Sequence, residues 1–194
     1  MKNLEEVRAA IIDAAEKNFS LLGFEKTTLD GISGENGKCK TSIYYHFKNK
    51  HDVFKSVILK EFNAVKQDLQ AIAENKDLSR TEAMRQYLHT RLESLRKQGA
   101  FRRYASSKFA YGDNPVSRAV REMRKPFDEW ETDFLTENIS RGVRDGSISA
   151  TIQPGSYAKA IVDILKAVEL QFFTSEDRTD LAQTYNGIID IIVR

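Results

Sequence analysis

The sequence has little cysteine and no long apolar run. Cys39 is the single cysteine among 194 residues, which excludes an internal disulfide and argues against a cysteine-rich zinc site. No segment approaches the roughly 20 apolar residues that a membrane span requires, and the N-terminus has no basic-then-apolar signal pattern. These absences predict a protein of a reducing compartment, and we expect it in the cytoplasm with no membrane partner.

The sequence also lacks a strong charge of one sign. Its formal net charge is +2, which argues against a polybasic coat for nucleic acid. Asp52 is the one acid between residues 37 and 60, against six lysines: Lys38, Lys40, Lys48, Lys50, Lys55 and Lys60. This imbalance predicts a local positive surface of the kind that phosphates attract; the alternative is a solvated lysine-rich face.

Catalytic patterns are scarce as well. The three histidines form no recognisable nucleophile, metal or acid–base arrangement: His46, His51 and His89. We interpret the acids around Glu129, Glu131 and Asp133 as the solvated face of a long helix. An enzyme is therefore not expected.

The periodicity of the chain is helical, without strand-length alternation, internal repeats or low-complexity linkers. Apolar residues between Val7 and Leu22 recur with a period near 3.6, and Gly23 is placed to end this first helix. A capping-box pair, Ser79 and Glu82, predicts the start of a later helix that ends near residue 99. Other helices are predicted over about 51–75, 101–111, 116–141, 155–173 and 179–193, so the fold class is all-α.

The segment from Thr27 to Lys50 has the pattern of a helix-turn-helix. Thr28 can cap a first short helix, and Gly37 can adopt the positive φ of a tight turn. In a second helix, over about 40–47, Ile43 and Phe47 share one face and point to a core. The other faces of that helix are left for contacts with DNA.

At these residues the chain resembles the tetracycline-repressor (TetR) family of bacterial regulators. The similarity extends over some forty residues in the family's order and spacing, from the IDAA run at 12–15 to the SIYYHFKNK run at 42–50. The family usually has alanine, a β-branched apolar residue and serine where this chain has Asn36, Lys38 and Cys39. Because cysteine is a poorer acceptor than serine, these departures affect the turn and the cap of the recognition helix and suggest an unusual operator.

The resemblance implies an N-terminal three-helix helix-turn-helix DNA-binding domain (1–50) and a larger C-terminal helical ligand-binding and dimerisation domain (51–194). It implies a homodimeric transcriptional regulator without a cofactor, and we expect a repressor that leaves its operator DNA when a small, largely apolar effector binds. The alternative is an architectural or protein-partner-controlled DNA-binding protein without a small-molecule inducer.

Candidate DNA contacts follow from side-chain chemistry and from this resemblance. We expect phosphate contacts from residues with polar tips near the recognition helix: Thr28, Tyr44, His46, Lys48 and Lys50. We expect base contacts from residues near the leading end of that helix: Lys40, Thr41, Ser42 and Tyr45. For His46 the alternative is a structural histidine bonded to the backbone, whereas a metal role lacks a partner ligand at helical spacing.

The resemblance also implies a pocket in the second domain. Six aromatic residues are candidates to line it, and the alternative for each is plain core: Phe62, Tyr87, Phe109, Phe127, Trp130 and Phe134. Pro126 removes a backbone hydrogen bond from the long helix, which predicts a kink near Trp130.

The last two helices are implied to pair with their copies from a second subunit as a four-helix bundle. The residues expected in this interface are apolar or aromatic: Ile161, Leu165, Val168, Tyr185, Ile188 and Ile192. A two-fold dimer presents two recognition helices to half-sites about one helical turn apart. The alternative is that both helices are interior helices of a monomer.

Overall fold

In the computed structural model, every regular element in the described part of the chain is helical. The structure describes residues 4–36, 40–75, 77–174, 183, 185–187 and 189–190, with the backbone alone at 35, 36, 40 and 41. The elements are α1 (Leu4–Lys26), α2 (Leu29–Asn36), α3 (Lys40–His46), α4 (Lys50–Ala73), α5 (Arg80–Lys97), α6 (Gly99–Ala105), a 3₁₀ turn (Lys108–Ala110), α7 (Pro115–Arg144) and α8 (Pro154–Thr174). The all-α prediction is confirmed.

The last predicted helix, over 179–193, falls largely outside the described residues. Those that are described after residue 182 are helical. Within the described helices, none combines the length and the apolar character needed to cross a membrane.

The chain forms two compact units, each built from two stretches of sequence. The first unit comprises Met1–Ala64 and Leu95–Arg124, and the second comprises Val65–Ser94 and Lys125–Arg194. Helices α4, α5 and α7 therefore each contribute residues to both units. The domain boundary expected at residue 50 stays a prediction.

Local sequence signals determine several helix ends. Gly23 has φ 77°, a value that favours glycine, and it breaks the regular course of α1. The Thr28 hydroxyl accepts a hydrogen bond from the Gly31 amide at 3.0 Å and so caps α2, as predicted. The Ser79 hydroxyl accepts one from the Glu82 amide at 3.2 Å in front of α5, which confirms that helix start.

The helix predicted over 101–111 is shorter in the structure. Helix α6 ends at Ala105, and the 3₁₀ turn begins at Lys108, after Ser106 and Ser107. The hydroxyls of Ser106 and Ser107 donate back to the carbonyls of Arg102 and Tyr104, at 3.0 and 2.6 Å. Such bonds compete with continued helix, so the two consecutive serines explain the early end of α6.

An apolar core holds α1 to α4 together in the first unit. The rings of Phe19 and Phe54 meet edge to face with centroids 5.0 Å apart, and both residues are buried. Ile43 is 0% and Phe47 4% exposed, as predicted, so α3 is anchored by one face. Burial of side chains of this size stabilises the fold by about 2 kcal/mol each.

In the second unit a buried ion cluster joins α5, α7 and α8. The Arg91 guanidinium donates to both carboxylate oxygens of Glu131, at 2.5 and 3.2 Å, and to Glu169 at 3.1 Å. The Tyr87 hydroxyl donates to Glu131 at 3.1 Å. Arg91 and Glu131 are both 0% exposed, and because each is paired, the large cost of burying an isolated charge is avoided.

This cluster corrects one sequence expectation. Glu131 does not lie on the solvated face of α7, although Glu129 and Asp133 are exposed there. It stands four residues after Phe127 and four before Leu135, both buried, so the helical period turns it inward. Pro126 stands within α7, and the kink expected there stays a prediction.

A buried carboxylate of α4 caps α6 in the first unit. Glu61 is 1% exposed and accepts hydrogen bonds from the amides of Ala100 at 2.8 Å and Phe101 at 2.7 Å. Gln98, the residue before α6, forms no side-chain cap, so Glu61 satisfies the helix-end amides in its place. Burial raises the pKa of Glu61 to about 7, although the two amide bonds act to lower it.

We predict that Glu61 makes the stability of the protein depend on pH. In the folded state the Glu61 carboxyl group keeps its proton up to about pH 7. In the unfolded chain the ordinary pKa of 4.5 applies. Between these values the folded state binds more protons, so the contribution to stability is lost as the pH rises through 7. Urea denaturation measures the free energy of unfolding of wild type and of Glu61→Gln at each pH. The difference, wild type minus variant, should fall by up to about 3 kcal/mol between about pH 5 and pH 8.

Glu16 and Lys60 also face this carboxylate and stay in place in the variant. The matched control is Glu6→Gln, which removes an exposed carboxylate of α1 and should leave the pH dependence as in wild type. Equal pH dependence in wild type and in Glu61→Gln would contradict the prediction.

Candidate nucleic-acid interface

The outer face of α3 is aromatic. Tyr44 and Tyr45 are 53% and 72% exposed, while Ile43 and Phe47 hold the opposite face in the core. The tyrosine hydroxyls on this face are suited to donate to phosphates or base edges. Ser42 is half-buried on the same helix, and the side chains expected beside it, Lys40 and Thr41, lie outside the described part.

His46 packs at the end of α3 between two aromatic rings. Its imidazole lies 5.1 Å from the ring of Tyr45 and 6.4 Å from that of Phe47, measured between centroids. The residue is half-buried, so one edge of the imidazole stays accessible. The phosphate contact expected of His46 stays a prediction.

Thr28 stands at the exposed start of α2. Its hydroxyl oxygen is occupied by the Gly31 amide, and the hydroxyl proton can still be donated. A helix start favours a neighbouring anion, because its amides and its dipole point outward there. The position is compatible with the expected phosphate contact.

The lysines of the segment 37–60 do not act together as one free positive surface. Lys55 pairs with Glu122, and Lys60 pairs with both Asp13 and Glu16. Lys48 is exposed immediately after the buried Phe47, and within the described residues its ammonium has no partner. Lys38 and the side chain of Lys40 lie outside the described part. Lys48 is thus the described lysine best placed to meet a phosphate.

Lys50 is engaged with the backbone. Its Nζ atom lies 2.8 Å from the carbonyl oxygen of Phe24, 3.3 Å from that of Glu25 and 3.0 Å from that of Thr27. Burial lowers the pKa of Lys50, and the carboxylate of Glu25 acts to raise it. Sequence reasoning missed this arrangement because its acceptors are backbone atoms, which leave no trace in residue types. The phosphate contact expected of Lys50 stays a prediction, and it competes with these bonds.

Four of the six candidate pocket residues pack together in the second unit. The rings of Tyr87 and Phe134 stack with centroids 4.5 Å apart, and Trp130 lies 6.2 Å from Phe134 and 6.1 Å from Phe127. The Lys66 ammonium lies 5.3 Å over the Trp130 ring, which is half-buried. These rings form a continuous aromatic cluster, defined by Tyr87, Phe127, Trp130 and Phe134.

The other two candidates belong to the first unit. Phe62 packs on Phe101 with ring centroids 5.0 Å apart, and Phe109 packs on Phe24 at 6.1 Å. Both take part in ring packing there, and their role in ligand binding stays a prediction.

Two cavities of the second unit are informative. One, of about 80 Å³, is lined by Phe134 and by residues of α4, α5 and α7 that include Arg80, Asn138 and Arg141. Its volume is roughly half of one that encloses benzene. The other is an open groove of about 640 Å³ between α7 and α8, with charged walls that include Asp128, Lys159 and Lys166. A ligand larger than a few atoms would not fit the first of these cavities.

Helix α8 carries an apolar stripe that is partly exposed. Tyr157 and Ile164 are each 50% exposed, and Ile161 and Val168 are half-buried. Steps of four, three and four residues place these side chains on one face of the helix.

Two expected interface residues are buried within the chain itself. Leu165 is 0% exposed, and Tyr185 is 2% exposed with its hydroxyl donating to the Leu88 carbonyl at 2.8 Å. Ile188 and Ile192 lie outside the described side chains. The roles of all six residues in a dimer stay predictions.

Comparison with known proteins agrees with this geometry. Residues 11–57 match the model of the bacterial regulatory proteins of the tetR family. The biofilm operon negative transcriptional regulator IcaR of Staphylococcus epidermidis is 42% identical over 53 residues, which cover 27% of this chain and 29% of that protein. The matched segment thus spans less than a third of this curated relative.

Solved structures match the fold over nearly the whole chain. A transcriptional regulator of the TetR/AcrR family from Thermobifida fusca has a TM-score of 0.71 at 22% identity, with 97% of each chain covered. The regulator FadR from Bacillus subtilis, in complex with stearoyl-CoA, has a TM-score of 0.73 at 17% identity, covering 95% of this chain and 97% of that one. The N-terminal segment is therefore similar to the tetR family, and the fold of the chain is that of the solved TetR/AcrR-family regulator.

Proposed function

We propose that this protein is a transcriptional regulator that binds operator DNA through α3 and represses its target. The observation that carries the proposal is the arrangement of α3, with Ile43 and Phe47 locked in the core and Tyr44 and Tyr45 turned outward. Short recognition helices that present polar and aromatic side chains in this way enter the major groove. Repression is supported by the similarity of this segment to a negative regulator.

The regulator acts as a homodimer through α8. The partly exposed stripe of Tyr157, Ile161, Ile164 and Val168 supports this assembly, because apolar residues exposed together on one helix face are suited to contact a partner. A two-fold dimer also supplies the second recognition helix that a palindromic operator requires.

The effector is a small, largely apolar molecule that binds the second unit. Support comes from the aromatic cluster of Tyr87, Phe127, Trp130 and Phe134, and from the similar fold of FadR in complex with stearoyl-CoA. An effector that prefers a conformation with wrongly spaced recognition helices would release the operator by shifting the population.

A specific observation favours a second candidate, a DNA-binding protein without a small-molecule inducer. The rings of the aromatic cluster pack on one another, and the adjoining cavity has a volume of about 80 Å³. A filled core of this kind serves packing alone. Under this candidate, control of DNA binding passes to a protein partner or to the amount of protein.

The first prediction from this proposed function concerns DNA recognition. The dimer should select a palindromic sequence from a random DNA pool, and Tyr45→Ala should weaken binding to that sequence roughly tenfold or more through lost contacts. Titration by fluorescence anisotropy measures both affinities. The matched control is Tyr111→Ala, which removes another exposed tyrosine of the first unit and should bind as wild type does. If no sequence is selected above the random pool, the regulator proposal fails.

The second prediction concerns assembly. Ile164→Glu places a charge in the apolar stripe without touching the core, so the variant should stay helical and sediment as a monomer. Lys159→Glu alters an exposed residue of α8 outside the stripe and should stay dimeric. Analytical ultracentrifugation separates these outcomes, and a wild type that sediments as a monomer contradicts the dimer.

The third prediction concerns the effector. Trp130 is the single tryptophan, so its emission reports on the aromatic cluster alone. Stearoyl-CoA should change this emission at the concentration that releases operator DNA, because both report one binding event. Free stearate and coenzyme A alone show which part of the molecule is needed. Release with unchanged emission would place the ligand elsewhere, and the failure of a wider metabolite library to release DNA would favour the candidate without an inducer.

A further inference from the structure

Lys50 is the first residue of α4, and its side chain reaches back to the end of α1. Its ammonium donates to three carbonyl oxygens that converge on it, those of Phe24, Glu25 and Thr27. The same nitrogen lies 4.5 Å from the centroid of the Phe24 ring, within the range of a cation–π contact. An ammonium has three hydrogens, so these bonds use its full capacity to donate.

The acceptors belong to a helix end that needs a partner. The last carbonyls of a helical turn have no donor within that turn, and each oxygen carries a partial negative charge. Phe24 and Glu25 lie in the single turn that follows the break of α1 at Gly23, and Thr27 follows that turn directly. The Thr27 side chain is itself fully buried and donates to the Gly23 carbonyl at 2.8 Å. A cation at this point is therefore favoured on electrostatic grounds, because it meets three carbonyl oxygens.

The two segments that Lys50 joins enclose the helix-turn-helix. Thr27 immediately precedes Thr28, the cap of α2, and Lys50 follows α3 after a link of three residues, 47–49. In that link Phe47 is buried, and the side chain of Asn49 accepts from the Asp52 amide at 3.0 Å at the start of α4. One ammonium group thus joins the two points between which the chain forms α2 and α3.

We propose that Lys50 is a positioning residue. It joins the segment before α2 to the start of α4 and so sets the orientation of α3, without contacting DNA itself. The inference rests on the proposed DNA-binding function. It assigns to Lys50 a role different from the phosphate contact that its residue type and location suggest.

The two roles predict different results for Lys50→Arg. Arginine keeps the positive charge and can reach a phosphate, so a phosphate contact would survive. Its planar, forked donors cannot point at three carbonyls that converge on one atom, so the hydrogen bonds that join the two segments would be lost. We expect operator binding about tenfold weaker, with unchanged affinity for random-sequence DNA and an unchanged slope of log affinity against log salt.

Lys48→Ala is the matched comparison, because Lys48 is exposed two residues earlier and has no partner within the described part of the chain. It should flatten the salt slope by about one unit and weaken binding to operator and random DNA alike. Lys50→Met, which keeps the aliphatic stem without the charge, should weaken operator binding with a salt slope closer to wild type than that of Lys48→Ala.

Several results would overturn the proposal. Wild-type operator affinity in Lys50→Arg would show that the three carbonyl bonds are not needed. A slope flattened by one unit in Lys50→Met, with equal loss for both DNAs, would establish a phosphate contact. A lowered unfolding temperature with unchanged operator affinity of the folded protein would leave a role in stability alone. If wild type selects no operator at all, the proposed function fails first, and that outcome is distinct from these.

Discussion

The first unit depends on hydrogen bonds to backbone groups at two helix ends, and two side chains of α4 make these bonds. Lys50 places a cation at the carbonyl end of α1, and Glu61 places a carboxyl group at the amide end of α6. Lys50 donates to backbone carbonyls and Glu61 accepts from backbone amides, and these bonds satisfy polar groups that have no partner within their own helical turn. Because both belong to one continuous helix, the position of α4 fixes α1 and α6 together. If α4 moves, these bonds either break or move α1 and α6 with it. Helix α4 is therefore mechanically coupled to the elements that support α3.

The second unit is organised by a different kind of constraint. Arg91, Glu131 and Glu169 come from three helices, and their pairing fixes how α5, α7 and α8 meet. A buried ion pair adds little net stability compared with apolar packing, because desolvation offsets the attraction, but breaking it costs several kcal/mol. The cluster therefore penalises wrong packing more than it stabilises the right one. The aromatic cluster shares Tyr87 with it through the bond to Glu131, so a ligand that separated the rings would also act on this network.

The sequence predicted what depends on near neighbours in the chain. The caps at Thr28 and Ser79, the break at Gly23 and the inward face of Ile43 and Phe47 follow from period and cap chemistry, and all are found. Interactions between distant residues were missed. Glu131 appeared solvated because its partner Arg91 lies 40 residues away, and Lys50 appeared free because its acceptors are carbonyl groups. The cationic segment was likewise overestimated, since Lys55 and Lys60 meet acids from other helices.

The near-neutral total charge conceals an uneven distribution. The sequence stretches of the first unit hold 18 lysines and arginines against 11 acids, whereas those of the second hold 12 against 17. Ion pairs such as Lys60 with Asp13 cancel charge locally but leave this excess intact, so the first unit attracts a polyanion at a distance and does so less at high salt. Attraction of this kind does not distinguish one DNA sequence from another. In the proposed function, discrimination comes from the side chains of α3, and the orientation of that helix is the property that we assign to Lys50.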